Sequence, residues 1–377
     1  MNKAIIAIDS FKGCLSSIEA ERAAKEGVLS VFPQCEVVCV PVADGGEGML
    51  EALLSATSGQ QISLQAPGPL MEMRQTRYGI TADGHSALIE VAAISGLPLV
   101  AKEKRNPMNT TTYGVGKLIA DALLRGCRDF IIGLGGSATN DAGLGMLQAL
   151  GFRFMDKEGH LLGRGGRILA DVASVDFSQV HPLLKEAHFK VACDVANFFY
   201  GKEGAAYVFA PQKGADEAMV VALDAGLQSL SRVIFEATGK DVSKIHGAGA
   251  AGGMGGSMVA FLNASLQPGI RLLLDTIHFT DIIRGADLII TGEGHADKQT
   301  LMGKVPYGIL EVAKRQQVPV VLIAGRISDE ALLHQAGFRG VFSITPSSMS
   351  LEEAMKPKVA CRNICRFVEQ LCRYEYS

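Results

Sequence analysis

The chain has 377 residues, 48% hydrophobic and 20% charged, with 43 glycines, no tryptophan and a formal net charge of -3. That length can bury more than one core, and the near-balanced charge, with no lysine- or arginine-rich run, excludes a face built for nucleic-acid backbones. The first residues carry no long apolar segment with a cleavage site, and no run approaches about 20 apolar residues, so neither a signal peptide nor a membrane-spanning helix is expected. Eight cysteines lie scattered without a Cys-x-x-Cys pair, as in a cytoplasmic protein with reduced thiols. Cys361 and Cys365 can share a helical face, but no histidine stands at ligand spacing.

The N-terminal third reads as strand, loop and helix, twice. Residues 3–8 form an apolar strand, DSFKG a loop, and a helix starts near Ser17 with Ser16 and Glu19 as its capping box. Ala20, Ala23, Ala24, Gly27, Val28 and Val31 mark its inner face. A second strand over 37–42, the loop ADGGEG and a helix from Gly48 follow. A right-handed crossover makes the two strands parallel, which brings Asp9, Lys12, Asp44 and Glu47 to one sheet edge.

The middle differs in texture. It offers an acid-bearing strand over 87–91, the run KRNPMNTTTYG with Arg105, a helix over 117–125 and a strand over 130–134. IGLGGSATNDAGLG then reads as a glycine turn and a helix beginning near Asp141. Backbone amides at Gly135 and Gly136, with Ser137, Thr139 and Asn140, suit an anionic ligand, although Asn140 or Asp141 as a helix cap is the plainer alternative. Asp194 ends the short strand VACDV, and Lys213 sits in FAPQKGA. GAGAAGGMGG contains G-x-G-x-x-G but lacks a preceding strand, so a dinucleotide fingerprint is not indicated; close helix packing or a substrate-contacting helix start fits better.

The last quarter returns to the first rhythm. A strand over 288–291 feeds ITGEGHADKQTLMGKVP, where Glu293 and Asp297 offer hard oxygens for Mg²⁺ and Lys298 and Lys304 offer positive charge. A helix over 307–316, a strand over 318–323, a helix over 329–336, a strand over 341–344 and a terminal helix complete the chain. The fold class is therefore α/β: a discontinuous Rossmann/flavodoxin-like doubly wound domain from 1–65 plus 285–377, with a second α/β domain, 66–284, inserted. Ligands are expected in the cleft between them; a simple division into N- and C-terminal halves is the alternative. No Walker-type loop and no protein-kinase H-R-D or D-F-G set occurs, so phosphoryl transfer would need another architecture.

Taken in order, DSFKG, PVADGGEG, RNP, TTTYG, GLGGSATND, VACDV, PQKGA, GAGAAGGMG, TGEG and GKVP resemble the bacterial glycerate kinase family, in its two-domain type I class, over nearly the whole chain. The resemblance implies ATP-dependent, Mg²⁺-assisted phosphorylation of D-glycerate in glyoxylate or sugar-acid degradation, with 2-phosphoglycerate favoured over 3-phosphoglycerate. Two departures stand out: Ile8 replaces the proline usual before DSFK, and His295 with Ala296 replaces the arginine and aliphatic residue usual after TGEG.

On chemistry and motif position, Asp194, Lys12 and Lys213 are the candidate catalytic residues. Asp194 would take the hydroxyl proton, and the lysines would steady transferring oxygens or the substrate carboxylate. Glu293 and Asp297 would hold or orient the metal, and exchanges of role among the acids stay open. Asp9, Ser10, Asp44, Gly45, Gly46, Arg105, Gly135, Gly136, Ser137, Asn140 and Lys304 would shape the substrate and nucleotide sites. The partners expected are small molecules, with neither nucleic acid nor membrane, and association into a homo-oligomer is left open. The competing readings are a kinase for another small hydroxy acid or polyol, and a nucleotide- or acid-sensing protein without turnover.

Overall fold

The computed structural model describes residues 1–43 and 48–375. The chain divides into two compact units, one made of Met1–Asp44, Glu51–Ala56 and Ile270–Ser377, the other of Gly45–Leu50 and Thr57–Gly269. In chain order the strands are β1 (Lys3–Ile8), β2 (Glu36–Cys39), β3 (Gln60–Pro67), β4 (Met73–Ile80), β5 (Ser86–Glu90), β6 (Asp129–Gly133), β7 (Arg153–Met155), β8 (Ser174–Asp176), β9 (His188–Ala192), β10 (Ser265–Gln267), β11 (Leu288–Ala296), β12 (Val320–Ile327) and β13 (Gly340–Ser343).

The first unit holds a parallel five-stranded sheet in the order β13-β12-β11-β1-β2. Counted within the unit this is 5-4-3-1-2, the flavodoxin-like order, whose switch point lies between its first and third strands. Every residue from Ala4 to Ile8 is fully buried, as a central parallel strand covered on both faces requires. The helix Ser17–Val31 starts at the expected capping box, and its buried face includes Ala20, Ala23, Ala24, Gly27 and Val28. A Cβ on Gly27 would lie 2.5 Å from the Cys365 carbonyl, so glycine here lets the terminal helix Pro357–Glu375 pack closely. The Ser17 hydroxyl donates to the Ile8 carbonyl at 2.6 Å, which fixes the helix start against the end of β1.

β11 runs farther than its apolar segment indicates. It continues through Ala296 because β12 extends beside it, pairing His295 with Arg326 and Ala296 with Ile327. The TGEGHA segment is thus strand rather than loop.

The second unit holds a six-stranded sheet, β10-β9-β6-β5-β4-β3, with β3 and β4 antiparallel at one edge and the strands from β5 to β10 parallel. β3 pairs along its whole length with β4, which assigns 60–65 to this sheet, while Ile270 to 284 falls to the first unit. Phe130, Ile132, Leu118, Leu147, Leu227 and Met258 belong to one core that the helices share with this sheet. β7 and β8 form a small hairpin-like ribbon.

Two local expectations are corrected. The helix Glu217–Thr238 is 22 residues long and contains an 18-residue stretch of mean hydropathy 1.4, so one segment does have the length and composition to cross a membrane. Its Leu223, Leu227, Leu230 and Ile234 are buried while Arg232 and Glu236 are exposed, the one-sided pattern of a core helix. The segment beginning near Asp141 becomes helical only at Leu144 and is six residues long. Within GAGAAGGMGG, the helix Ala250–Leu262 is interrupted by left-handed Ala251, Gly252 and Gly253. A Cβ on Gly252 would lie 2.2 Å from the Thr139 carbonyl, so close backbone packing explains this glycine cluster.

Candidate functional site

In the first unit a pocket of about 330 Å³ opens where β1, β11, β12 and β13 end. Its lining includes Asp9, Ser10, Lys12, Glu293, His295, Lys304 and Arg326, and it sits at the β1/β11 switch point, where open α/β sheets collect ligands. Asp9 is buried; its amide donates to the Gly292 carbonyl at 2.9 Å, and its carboxylate accepts the Ser10 amide at 2.7 Å. These bonds turn the chain out of β1 and set Ser10 and Lys12 at the rim.

Glu293 is the second buried acid of this pocket, 6% exposed on β11. One oxygen accepts the Thr300 hydroxyl at 2.6 Å, and the other lies 3.3 Å from the Lys304 ammonium. Burial pushes its carboxyl up, against the pull of Thr300 and Lys304. The Thr300 hydroxyl also accepts the Asp297 backbone amide at 3.0 Å, which fixes the loop beside Glu293, although Asp297 is not among the residues that line the pocket. Asp297 itself closes a turn, accepting the Gln299 amide at 2.8 Å. Lys304 is the N-cap residue of the helix Val305–Gln316, whose free amides reinforce an anion site. His295 is exposed, with Nε2 3.0 Å from the Ser328 hydroxyl, and Arg326 faces the same pocket from the adjacent ladder position.

In the second unit the centre is Lys213, only 2% exposed at the end of the short turn Pro211–Lys213. Its ammonium donates to the Ser137 hydroxyl at 3.0 Å and to the Thr139 carbonyl at 2.6 Å. Burial pushes this ammonium down to about 7, against the opposing field of Asp141. The Arg105 backbone packs beside this turn: Gly214 has φ +94°, and a Cβ there would lie 2.2 Å from the Arg105 carbonyl. The Arg105 Nε donates to the Val100 carbonyl at 3.3 Å.

Asp141 is the residue that sequence reasoning passed over as a cap. It is fully buried and accepts the Thr112 amide at 2.8 Å, the Thr112 and Thr111 hydroxyls at 3.0 and 3.2 Å, and the Gly143 and Gly145 amides at 3.1 and 3.3 Å. Burial pushes its carboxyl up while these donors oppose the shift. The signal in the sequence was the hydroxyl run Thr110–Thr112, but its partner lies some 30 residues away.

Asn140 is fully enclosed, with neither side-chain amide atom hydrogen-bonded among the described residues. Gly135 and Gly136 are exposed and line a separate pocket of about 520 Å³ that also includes Arg77, Glu90 and Gln75. Asp194 is exposed two residues past β9, and its carboxylate accepts the Gly269 amide at 2.9 Å. Asp44, Gly45 and Gly46, with Glu47, lie outside the described residues. Asp156, Glu158 and His160 cluster at metal-like spacing, but Asp156 is closing a turn there, accepting the Glu158 and His160 amides at 3.0 and 2.8 Å.

Comparison with known proteins places these features. The profile of the glycerate kinase family matches residues 4–375. The chain is 48% identical to the glycerate kinase of Bacillus cereus (strain ATCC 10987 / NRS 248), covering 96% of this chain and 95% of that one. It is 46% identical to the glycerate 2-kinase of Escherichia coli (strain K12), covering 97% and 95%. A crystal structure from Salmonella typhimurium LT2, provisionally assigned as glycerate kinase 2, superposes with a TM-score of 0.89 at 42% identity, over 99% of this chain and 97% of that one. With a profile match reaching almost from end to end and relatives aligned over nearly their full lengths, the chain belongs to the glycerate kinase family and is a kinase.

Proposed function

We propose that the protein transfers the terminal phosphoryl group of ATP to D-glycerate, with Mg²⁺, and that 2-phosphoglycerate is the favoured product. The observation behind this reading is the meeting of Lys12 and Lys304 with Asp9 and Glu293 at one pocket: cations for a polyphosphate beside hard oxygens for the metal that accompanies it. The name of the Escherichia coli relative, glycerate 2-kinase, supports the 2-hydroxyl as acceptor. We infer from the family resemblance a place in glyoxylate or sugar-acid breakdown, in the cytoplasm.

The residues divide the work by chemistry. Lys213, held by Ser137, and Arg105 are suited to the glycerate carboxylate or a transferring oxygen. Lys12 and Lys304 neutralise phosphate charge. Glu293, with Asp297 held nearby by its backbone bond to Thr300, offers hard oxygens that would hold Mg²⁺; the ion, when bound, would neutralise phosphate charge. Asp194, oriented by the Gly269 amide, takes the proton as the glycerate oxygen bonds to phosphorus and the bond to the ADP oxygen breaks.

The base role is tested with Asp194→Asn at saturating substrates. Turnover should fall roughly 10² to 10⁴-fold while the KM for ATP stays within a few-fold of wild type. Near-full turnover in this variant rejects the role.

A further inference from the structure

We propose that the first-unit pocket seats the whole nucleotide, with the purine at its apolar end and the phosphates at its cationic end. The proposal rests on the kinase reading above and says which substrate this pocket takes. The pocket is polarised. Lys12, Arg326 and Lys304 stand with Asp9 and Glu293 at the ends of β1, β11 and β12, whereas Phe11, Ile344, Leu351, Ala354, Met355 and Ala360 supply an apolar wall. A three-carbon hydroxy acid has no surface to match that wall. A purine ring does, and its attached polyphosphate matches the cations.

The size and floor agree with this assignment. About 330 Å³ of pocket lies within the range of small-molecule sites, far more than glycerate would fill. The floor is kept low by two glycines: a Cβ on Gly325 would lie 2.7 Å from the Gly294 carbonyl and 3.7 Å from the Phe11 ring, while one on Gly294 would project toward the backbone of Phe11 and Lys12 at 3.6 to 3.7 Å. Absence of both side chains lets a flat ligand approach the ends of β11 and β12. The β1/β11 switch point also places the phosphates near the N-terminus of the 12-residue helix Val305–Gln316, whose dipole favours negative charge.

This assigns Arg326 a phosphate-binding role and the segment around Leu351, Ala354 and Met355 a base-binding role. Leu351 is 70% exposed, so its truncation leaves the core untouched. The experiment measures binding of a fluorescent ATP analogue without glycerate, and the KM of each substrate, in wild type, Leu351→Ala, Ala354→Trp and Arg326→Ala. Leu351→Ala should weaken nucleotide binding about 3- to 10-fold and Ala354→Trp at least about 10-fold, with the KM for glycerate within twofold of wild type. Arg326→Ala should weaken ATP at least about 10-fold and adenosine less than about twofold. A raised KM for glycerate with unchanged nucleotide binding in the same variants overturns the assignment. If wild type binds the analogue with these sensitivities yet phosphorylates no glycerate, the nucleotide seat stands and the acceptor reading fails.

Discussion

Lys213→Met removes the buried charge of the second unit while keeping a side chain of similar length. The native ammonium falls from its ordinary 10.5 to about 7 because burial disfavours the charged form. Below pH 7 the folded and unfolded chains both hold the proton. Between about 7 and 10.5 the unfolded chain holds it and the folded chain does not, so this group makes stability rise with pH across that window. At about 1.4 kcal/mol per pH unit the full effect is roughly 5 kcal/mol. Urea unfolding of wild type and variant from pH 6 to 10 isolates the contribution as a difference. The variant's stability relative to wild type should be greatest near pH 6 and fall by about 2 to 5 kcal/mol by pH 10, on top of a constant loss from the bonds to Ser137 and Thr139. Turnover in the variant should drop on the order of 10³-fold. A stability difference that stays flat from pH 6 to 10 would refute the claim that Lys213 is desolvated.

Glu21, buried behind the end of β1 beside Ser17, has its carboxyl pushed up to about 8 by burial. The folded chain therefore holds a proton that the unfolded chain has lost, and stability from this group falls as pH rises from about 4.5 to 8. Glu21→Gln should match wild type below that window and exceed it by several kcal/mol above it, measured by urea unfolding at pH 4 and 8.5. Gly252→Ala places a methyl group 2.2 Å from the Thr139 carbonyl at φ +70°. Thermal denaturation should show a loss of at least about 2 kcal/mol, with nucleotide binding by the first unit unchanged; an equally stable variant would contradict the packing described for 139–142.

Much of the fold was legible because its signals are local. The capping box at Ser16, the apolar periodicity after it and the alternation of strands with helices at both ends predict the five-stranded sheet. The strand boundaries that failed depend on neighbours: β11 passes through two glycines and remains strand because β12 pairs with it to Ile327. The length of Glu217–Thr238 as an apolar helix was hidden by charges that the fold places on its exposed face. In the site, Asp9, Lys12, Glu293 and Lys304 share a pocket, as parallel strand ends dictate. Asp141 was missed because its donors at Thr111 and Thr112 are brought to it only by tertiary packing. Arg326 lies beside His295 through ladder register, which no linear motif displays.

The most direct test incubates purified protein with ATP, Mg²⁺ and D-glycerate, following ADP release alongside phosphorus NMR of the product. Metal-dependent, stoichiometric formation of ADP and 2-phosphoglycerate is the expected result. ADP formation with 3-phosphoglycerate alone would contradict the assigned acceptor oxygen, and no phosphorylated glycerate from folded, nucleotide-binding protein would contradict the proposed function itself.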